Sequence, residues 1–223
     1  MQVLLIRETP GWLAVDKPAG VVVVPARDED PEDSLWRTLE RERGERLWVV
    51  HRIDRETSGV LLLARTEEAH KALSRAFEQG RIEKEYLAFT AGIPEVRSVT
   101  APLVVGRRGR VKVVAPGTPG AKASRTDLAL VRRWTDPEPA ALVRCRPHTG
   151  RQHQIRVHLA SVGAPLLGDP LYGAGPTELA PRLALHAARI VFPRPEGRGT
   201  EELSAPLPPD LVALQRTLEH RAR

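Results

Sequence analysis

Residues 51–65, HRIDRETSGVLLLAR, place one carboxylate, Asp54, between two guanidiniums, Arg52 and Arg55, at the mouth of an apolar run. Opposite charges a few ångströms away favour the ionised form. Thr57 and Ser58 bring hydroxyls able to bond local backbone, and Gly59 allows a tight turn. A carboxylate held in one pose can serve as a nucleophile or as a general base. Taken alone, an aspartate in a hairpin turn paired to a surface arginine has the same signature. A second grouping is Cys145 and Arg151 in C-x5-R spacing, between a strand and a helix start. That is the layout of a phosphate loop, where backbone N–H groups hold an anion and arginines lower a thiol pKa. Pro147 removes one donor from such a loop, and a cysteine buried in a strand explains the residues as well. His148, His153 and His158 stand five apart, which scatters them around a helix and alternates them across a strand. The i, i+4 pairing of a zinc helix is absent, so no metal site is expected.

These groups need carriers. VLLIRE reads as a strand, and Pro10-Gly11 turns it into the strand-like WLAVDKP and GVVVVPA. Asp33 or Ser34 can cap a helix with Leu35 and Leu39 on one face, stopped by Gly44. LWVVHR leads into the Asp54 loop and VLLLAR leaves it. Thr66 caps a helix whose buried stripe is Ala69, Leu73, Ala76 and Phe77, with Gly80 at its end. IEKEYLAFTAG, the arginine-rich VGRRGRVKVV turn, SRTDLALVRRW and ALVRCR continue as strands. Thr149 and Gln152 form a capping-box pair for a helix carrying Ile155, Leu159 and Val162, closed by Gly163. LALHAARIVFPRP reads as a late strand pair, and Asp210 caps a final helix with Leu211, Leu214 and Leu218. Strands outnumber helices without regular β-α alternation. The expected class is α+β: a mixed, mainly antiparallel sheet flanked by helices.

At 223 residues the chain can bury a large core, and with 4% aromatics that core must be aliphatic. The single cysteine excludes an internal disulfide and fits a reducing cytoplasm. MQVLLIRETP meets charge within seven residues and offers no cleavage site, and no apolar stretch approaches the ~18 residues of a membrane span. A monomeric, cytoplasmic protein is expected. Its charge is uneven. Residues 98–160 hold twelve Lys/Arg against three acids, whereas the remainder holds twenty-two against twenty-five. A focused positive field favours a polyanion, above all nucleic acid; a solvated basic surface has the same composition.

The loop string has the pattern H-R-x-D-x-x-T-S-G, and with it the sequence resembles the RluA-type pseudouridine synthases of RNA. KEYLA, HTGRQHQIRVHLASVGAPLLGDPLYG and LALHAARIVFPRP fall where that family has its tyrosine, its T-G-R-x-H-Q-I-R-V-H and G-D-x-x-Y-G blocks, and its L-H-A segment. The similarity runs from about Trp12 to Leu214, with Ile53 for the commoner Leu and Gln152 for Thr or Ser as departures. It implies one catalytic domain over residues 1–223, with no accessory N-terminal S4 domain. It further implies an RNA pseudouridine synthase acting on ribosomal or transfer RNA without metal or cofactor. In that family the aspartate is the essential residue, here Asp54; Arg156 matches the arginine that pairs with it, and Tyr86 the active-site tyrosine. The resemblance puts His51, Arg52, Thr57, Arg151 and Leu185 about the substrate, Leu185 as an apolar wall and Arg52 as filler for the vacated base position. Arg107, Arg108, Arg110 and Lys112 would contact phosphates. A non-catalytic RNA-binding module would explain the basic stretch equally well, but gives Asp54, Tyr86 and Arg156 no task.

Overall fold

In the computed structural model, which describes residues 3–25, 30–106 and 109–221, strands β1 (Leu4–Glu8) and β2 (Trp12–Lys17) come first. Helix α1 (Leu35–Arg43) follows, then β3 (Trp48–Val49), β4 (Ser58–Ala64) and helix α2 (Glu67–Glu78). Next are β5 (Glu83–Ala91), β6 (Ser98–Thr100), β7 (Leu103–Val105), β8 (Val111–Val113), β9 (Arg125–Trp134) and β10 (Ala140–Pro147). The chain ends with helix α3 (Gln154–Ser161), β11 (Leu185–Pro193), β12 (Thr200–Ser204) and helix α4 (Pro209–Arg221). It divides into two compact units, one of Met1–Lys84 with Ala187–Pro206, the other of Glu85–His186 with Leu207–Arg223.

In the first unit the strand order is β1-β2-β4-β11, with β3 against β4 and β12 against β11. β1, β2 and β4 pair antiparallel, as do β11 and β12. Local signals set both helices. Ser34 accepts the Arg37 N–H and Gly44, at φ 65°, closes α1; Thr66 accepts the Ala69 N–H, and Glu67 and Glu68 occupy the first turn of α2. Ala69, Leu73 and Ala76 pack on Trp12, Leu62, Ile190 and Phe192, with Phe77 partly buried beside them. Burying a side chain such as Leu73 stabilises the fold by about 1.5–3 kcal/mol. β4 is buried along its whole length, which explains its unbroken apolar run. Gly59 serves strand packing rather than a turn: it lies in β4 at φ 112°, where a Cβ would sit 2.2 Å from the Ala187 carbonyl oxygen.

In the second unit the order is β5-β10-β9-β6, all antiparallel, and β7 and β8 form a separate hairpin. Ile155 and Leu159 of α3 pack with Ala88, Val143 and Leu185, while Leu211, Leu214 and Leu218 of α4 pack on Phe89, Trp134 and Leu142. The mainly antiparallel sheet structure with four helices matches the expected class.

Four local expectations fail. Residues 20–25 of GVVVVPA form a loop, because Gly20 donates to Arg55, Val22 accepts from Leu35, and Val21 accepts from the Lys17 ammonium. LHAARIVFP of that segment is one strand, β11, and its hairpin partner β12 comes from TEELS. α3 begins at Gln154 without the capping box: His153, at φ 52°, holds the N-cap position with no side-chain cap, and Thr149 donates instead to the Gln154 amide oxygen at 2.6 Å. Asp210 lies within the first turn of α4, its carboxylate taken by Arg182 at 2.5 Å.

Candidate active site

The Asp54 loop joins β3 to β4, and its pose comes from backbone bonds. The Asp54 carbonyl accepts the Thr57 N–H at 3.0 Å, and the Arg55 carbonyl accepts the Gly20 N–H at 3.0 Å. Lys17, at the end of β2, is wholly buried and donates to the carbonyls of Pro18 (2.8 Å), Val21 (2.7 Å) and Arg55 (2.8 Å). A buried ammonium is tolerable only with its donors filled; here those donors tie the loop to the end of a core strand. Asp54 is half-buried while Arg52 and Arg55 are exposed. Sequence reasoning passed over Lys17. The signal was a lysine ending an apolar strand directly before a proline.

Thr57, a neighbour of Asp54, differs from expectation. Thr57 is 1% exposed, yet its hydroxyl has no hydrogen-bond partner among the described residues, so it does not bond local backbone. His51 accepts the Leu62 N–H on Nε2 at 2.9 Å and stacks on Phe77 with centroids 4.9 Å apart. Burial, with a smaller contribution from Lys84, pushes its pKa down to about 3. The ring is therefore neutral, with Nε2 committed to β4.

In the second unit, Arg156 of α3 is buried and grips Asp169 with two parallel bonds, Nε to Oδ2 at 2.8 Å and Nη2 to Oδ1 at 2.7 Å. Asp169 also accepts the N–H groups of Leu171 (2.9 Å) and Tyr172 (3.2 Å). Burial alone would raise the Asp169 pKa; the Arg156 guanidinium and the two backbone donors outweigh it and hold the carboxyl below its ordinary value. Asp169 stands in the GDPLYG string, but its pairing with Arg156 was not read from it. Tyr86 faces Cys145 across β5 and β10 and packs, partly buried, in the cluster that contains Leu185 and Ile155. The fold thus joins the expected tyrosine and the expected apolar wall to the helix that carries Arg156.

Much of the positive charge of residues 98–160 is neutralised within the unit. Arg125 pairs with Asp127, Arg132 with Glu219, and Arg144 and Arg146 with Glu85. Among the described residues, Arg110, Lys112, Lys122, Arg133 and Arg151 have no carboxylate partner. Four of these gather around the β7–β8 hairpin. Arg110 and Lys112 are on it, Lys122 bridges to Leu103, and Arg151 donates from Nε to the Ala123 carbonyl at 3.3 Å. Arg107 and Arg108 lie outside the described residues.

The thiol alternative fails. Cys145 is fully buried inside β10, paired to Tyr86 on one side and Leu128 on the other, and burial pushes its thiol pKa up. A protonated thiol inside a sheet cannot attack a phosphate. The three histidines part company: His148 bonds Asp127, His153 bonds Tyr172, and buried His158 bonds Ser124 and Thr126. Among the described residues no group of three or more His, Cys, Asp or Glu could hold a metal ion. None of the described helices is long and apolar enough to cross a membrane.

Comparison with known proteins adds three findings. A family model described as RNA pseudouridylate synthase matches residues 11–161. Ribosomal large subunit pseudouridine synthase D of Zymomonas mobilis is 34% identical over 96% of this chain and 72% of its own length. Dual-specificity RNA pseudouridine synthase RluA of Escherichia coli is 34% identical over 87% of this chain and 88% of its own. Among solved structures, one named Human RNA Pseudouridylate Synthase Domain Containing 4 superposes with a TM-score of 0.78 at 25% identity. It covers 97% of this chain and 93% of that one. The chain spans 65–72% of the length of three curated relatives.

Proposed function

The chain belongs to the RNA pseudouridylate synthase family, and from that premise we propose that Asp54 is the group that acts on the target uridine. The isomerisation breaks the N1–C1′ bond and joins C5 of the uracil to C1′; the C5 hydrogen leaves as a proton and N1 takes one up. No electrons are exchanged with a partner, so residues of the chain suffice without cofactor. An ionised carboxylate can attack C1′ or take the C2′ proton. What carries the proposal is the construction of the loop, with a half-buried Asp54 whose neighbouring carbonyl is fastened by the buried Lys17 ammonium. Such fastening preserves a reactive pose at no reorganisation cost during the reaction.

In this proposal Arg156, held by Asp169, supplies the counter-charge for Asp54, and Tyr86 with Leu185 encloses the uracil. Arg52 enters the space that the flipped base leaves. Arg110, Lys112 and Arg151, with Arg107 and Arg108, hold phosphates. Residues 1–223 act as one catalytic domain of two compact units; the family match, residues 11–161, takes in parts of both. The substrate is ribosomal or transfer RNA, the ribosomal choice supported by the name of one curated relative, and the enzyme works as a cytoplasmic monomer. RNA labelled with tritium at uracil C5 tests the activity, because the new C5–C1′ bond expels that atom into water. Release from RNA of cells lacking the protein is expected. A folded protein that binds this RNA and releases nothing would instead be a binding module. Pseudouridine mapping in those cells then identifies the uridine.

A further inference from the structure

Tyr172 has no part in the chemistry assigned to Asp54, yet several independent contacts converge on it. The Arg156 guanidinium carbon lies 5.2 Å from its ring centroid, and that of Arg110 lies 5.7 Å from it. Its hydroxyl accepts the Val111 N–H at 2.9 Å and shares a hydrogen bond with Nδ1 of His153, also at 2.9 Å. The ring packs against Leu103 and Val111 of the hairpin and Val157 of α3. One rigid side chain therefore touches the basic hairpin, the first residue before α3, and the arginine that α3 carries.

The geometry points to Tyr172 as a positioning residue that couples RNA contact at the β7–β8 hairpin to the setting of the Arg156 guanidinium. This rests on the reading of Arg156 as part of the active site. Arg156 has its orientation fixed in-plane by the bidentate bond to Asp169, and the Tyr172 ring provides the contact on its face, where a cation is attracted to the π-system. Asp169 also accepts the Tyr172 N–H, so ring and carboxylate are parts of one short loop. On the other side, Arg110 is exposed and has no carboxylate partner, which suits it to phosphate. Hairpin movement reaches the ring through the Val111–hydroxyl bond. The same hydroxyl holds His153, which keeps a left-handed backbone (φ 52°) uncommon for a residue with a side chain. RNA seated on the hairpin thus reaches the start of α3 and Arg156 through one aromatic side chain.

The test uses the whole protein and RNA labelled with tritium at uracil C5, taken from cells lacking it, well below the melting temperature. Single-turnover tritium release and filter-binding affinity are measured separately. Tyr172→Phe keeps the ring between the two guanidiniums and removes the hydroxyl. It should slow release about tenfold while RNA affinity stays within about twofold. Arg110→Ala should slow release less in the Tyr172→Phe background than in the wild type, the non-additivity of groups that act together. Wild-type release by Tyr172→Phe, a loss seen only in affinity, or two losses that simply multiply would each overturn the coupling. Tritium release that survives Asp54→Asn would overturn the active-site reading instead, so the two failures are distinguishable.

Discussion

The Asp54 loop and the Arg156 helix solve the same problem, holding a charged group still, by different means. The loop is fastened through its backbone: one buried ammonium, Lys17, gathers carbonyls from residues 18, 21 and 55. Arg156 is fastened through its side chain, bidentate to Asp169 and faced by Tyr172. Backbone fastening leaves the carboxylate of Asp54 to the chemistry. Side-chain fastening consumes two of the arginine's donor groups and makes its position depend on a loop thirteen residues further along the chain. The first arrangement depends on one side chain beside two backbone bonds, whereas the second can be tuned by several residues.

Breaking each fastening should sharpen that contrast. The largest effect is expected for Lys17→Met. Three carbonyls lose their buried donor; Arg55 keeps the Gly20 N–H, and the Pro18 and Val21 carbonyls cost about 1–3 kcal/mol for each group left unpaired. Chemical denaturation should show the loss, and tritium release should fall with it; a stable, active variant would remove the clamp from the account. Asp169→Asn leaves Arg156 buried beside a neutral amide and should cost about 3–5 kcal/mol. It should also remove a pH dependence. The Asp169 pKa is depressed in the folded state, so its contribution is present above the unfolded pKa and is lost as pH falls through the folded value. The variant's melting temperature should fall less steeply in acid than that of the wild type.

His51 offers a second effect of the same sign, placed at higher pH. With a folded pKa of about 3 against an ordinary 6.5, the unfolded chain binds the extra proton between those values. Stability should therefore decline as pH falls from 6.5 towards 3. His51→Gln should flatten that slope, and an unchanged slope would mean that the ring is not held neutral. The smallest effect is expected at Thr57, whose buried hydroxyl has no partner among the described residues. Thr57→Val should leave stability within about 1 kcal/mol of the wild type, since no hydrogen bond is lost. If the hydroxyl contacts the substrate, the variant will react more slowly at unchanged stability.

Features that were legible from sequence are those decided within a few residues. The caps of α1 and α2, their buried stripes and the apolar β4 all follow from local pattern, and the structure has them as expected. Features decided by a distant partner were misread. The run after Gly20 has the composition of a strand, but Lys17 and Leu35 take its carbonyls. Thr149 and Gln152 have capping-box spacing, yet Gln154 draws the Thr149 hydroxyl away while its amide also reaches Arg125 and Thr126. The basic stretch appeared as one field because Glu85 and Glu219, which neutralise part of it, lie outside the counted segment. Asp54 was singled out by its own string and Arg156 by the family resemblance; Lys17 and Asp169, which hold their surroundings in place, act through tertiary contacts that spacing does not encode.

The central claim is that Asp54 performs chemistry and is not merely an RNA contact. Asp54→Asn keeps the size of the side chain and leaves the Lys17 clamp on backbone carbonyls untouched. The decisive measurement is single-turnover tritium release by this variant at saturating RNA, alongside its RNA affinity. The account predicts no detectable release with affinity within a few-fold of wild type. Release at a rate close to wild type would contradict it.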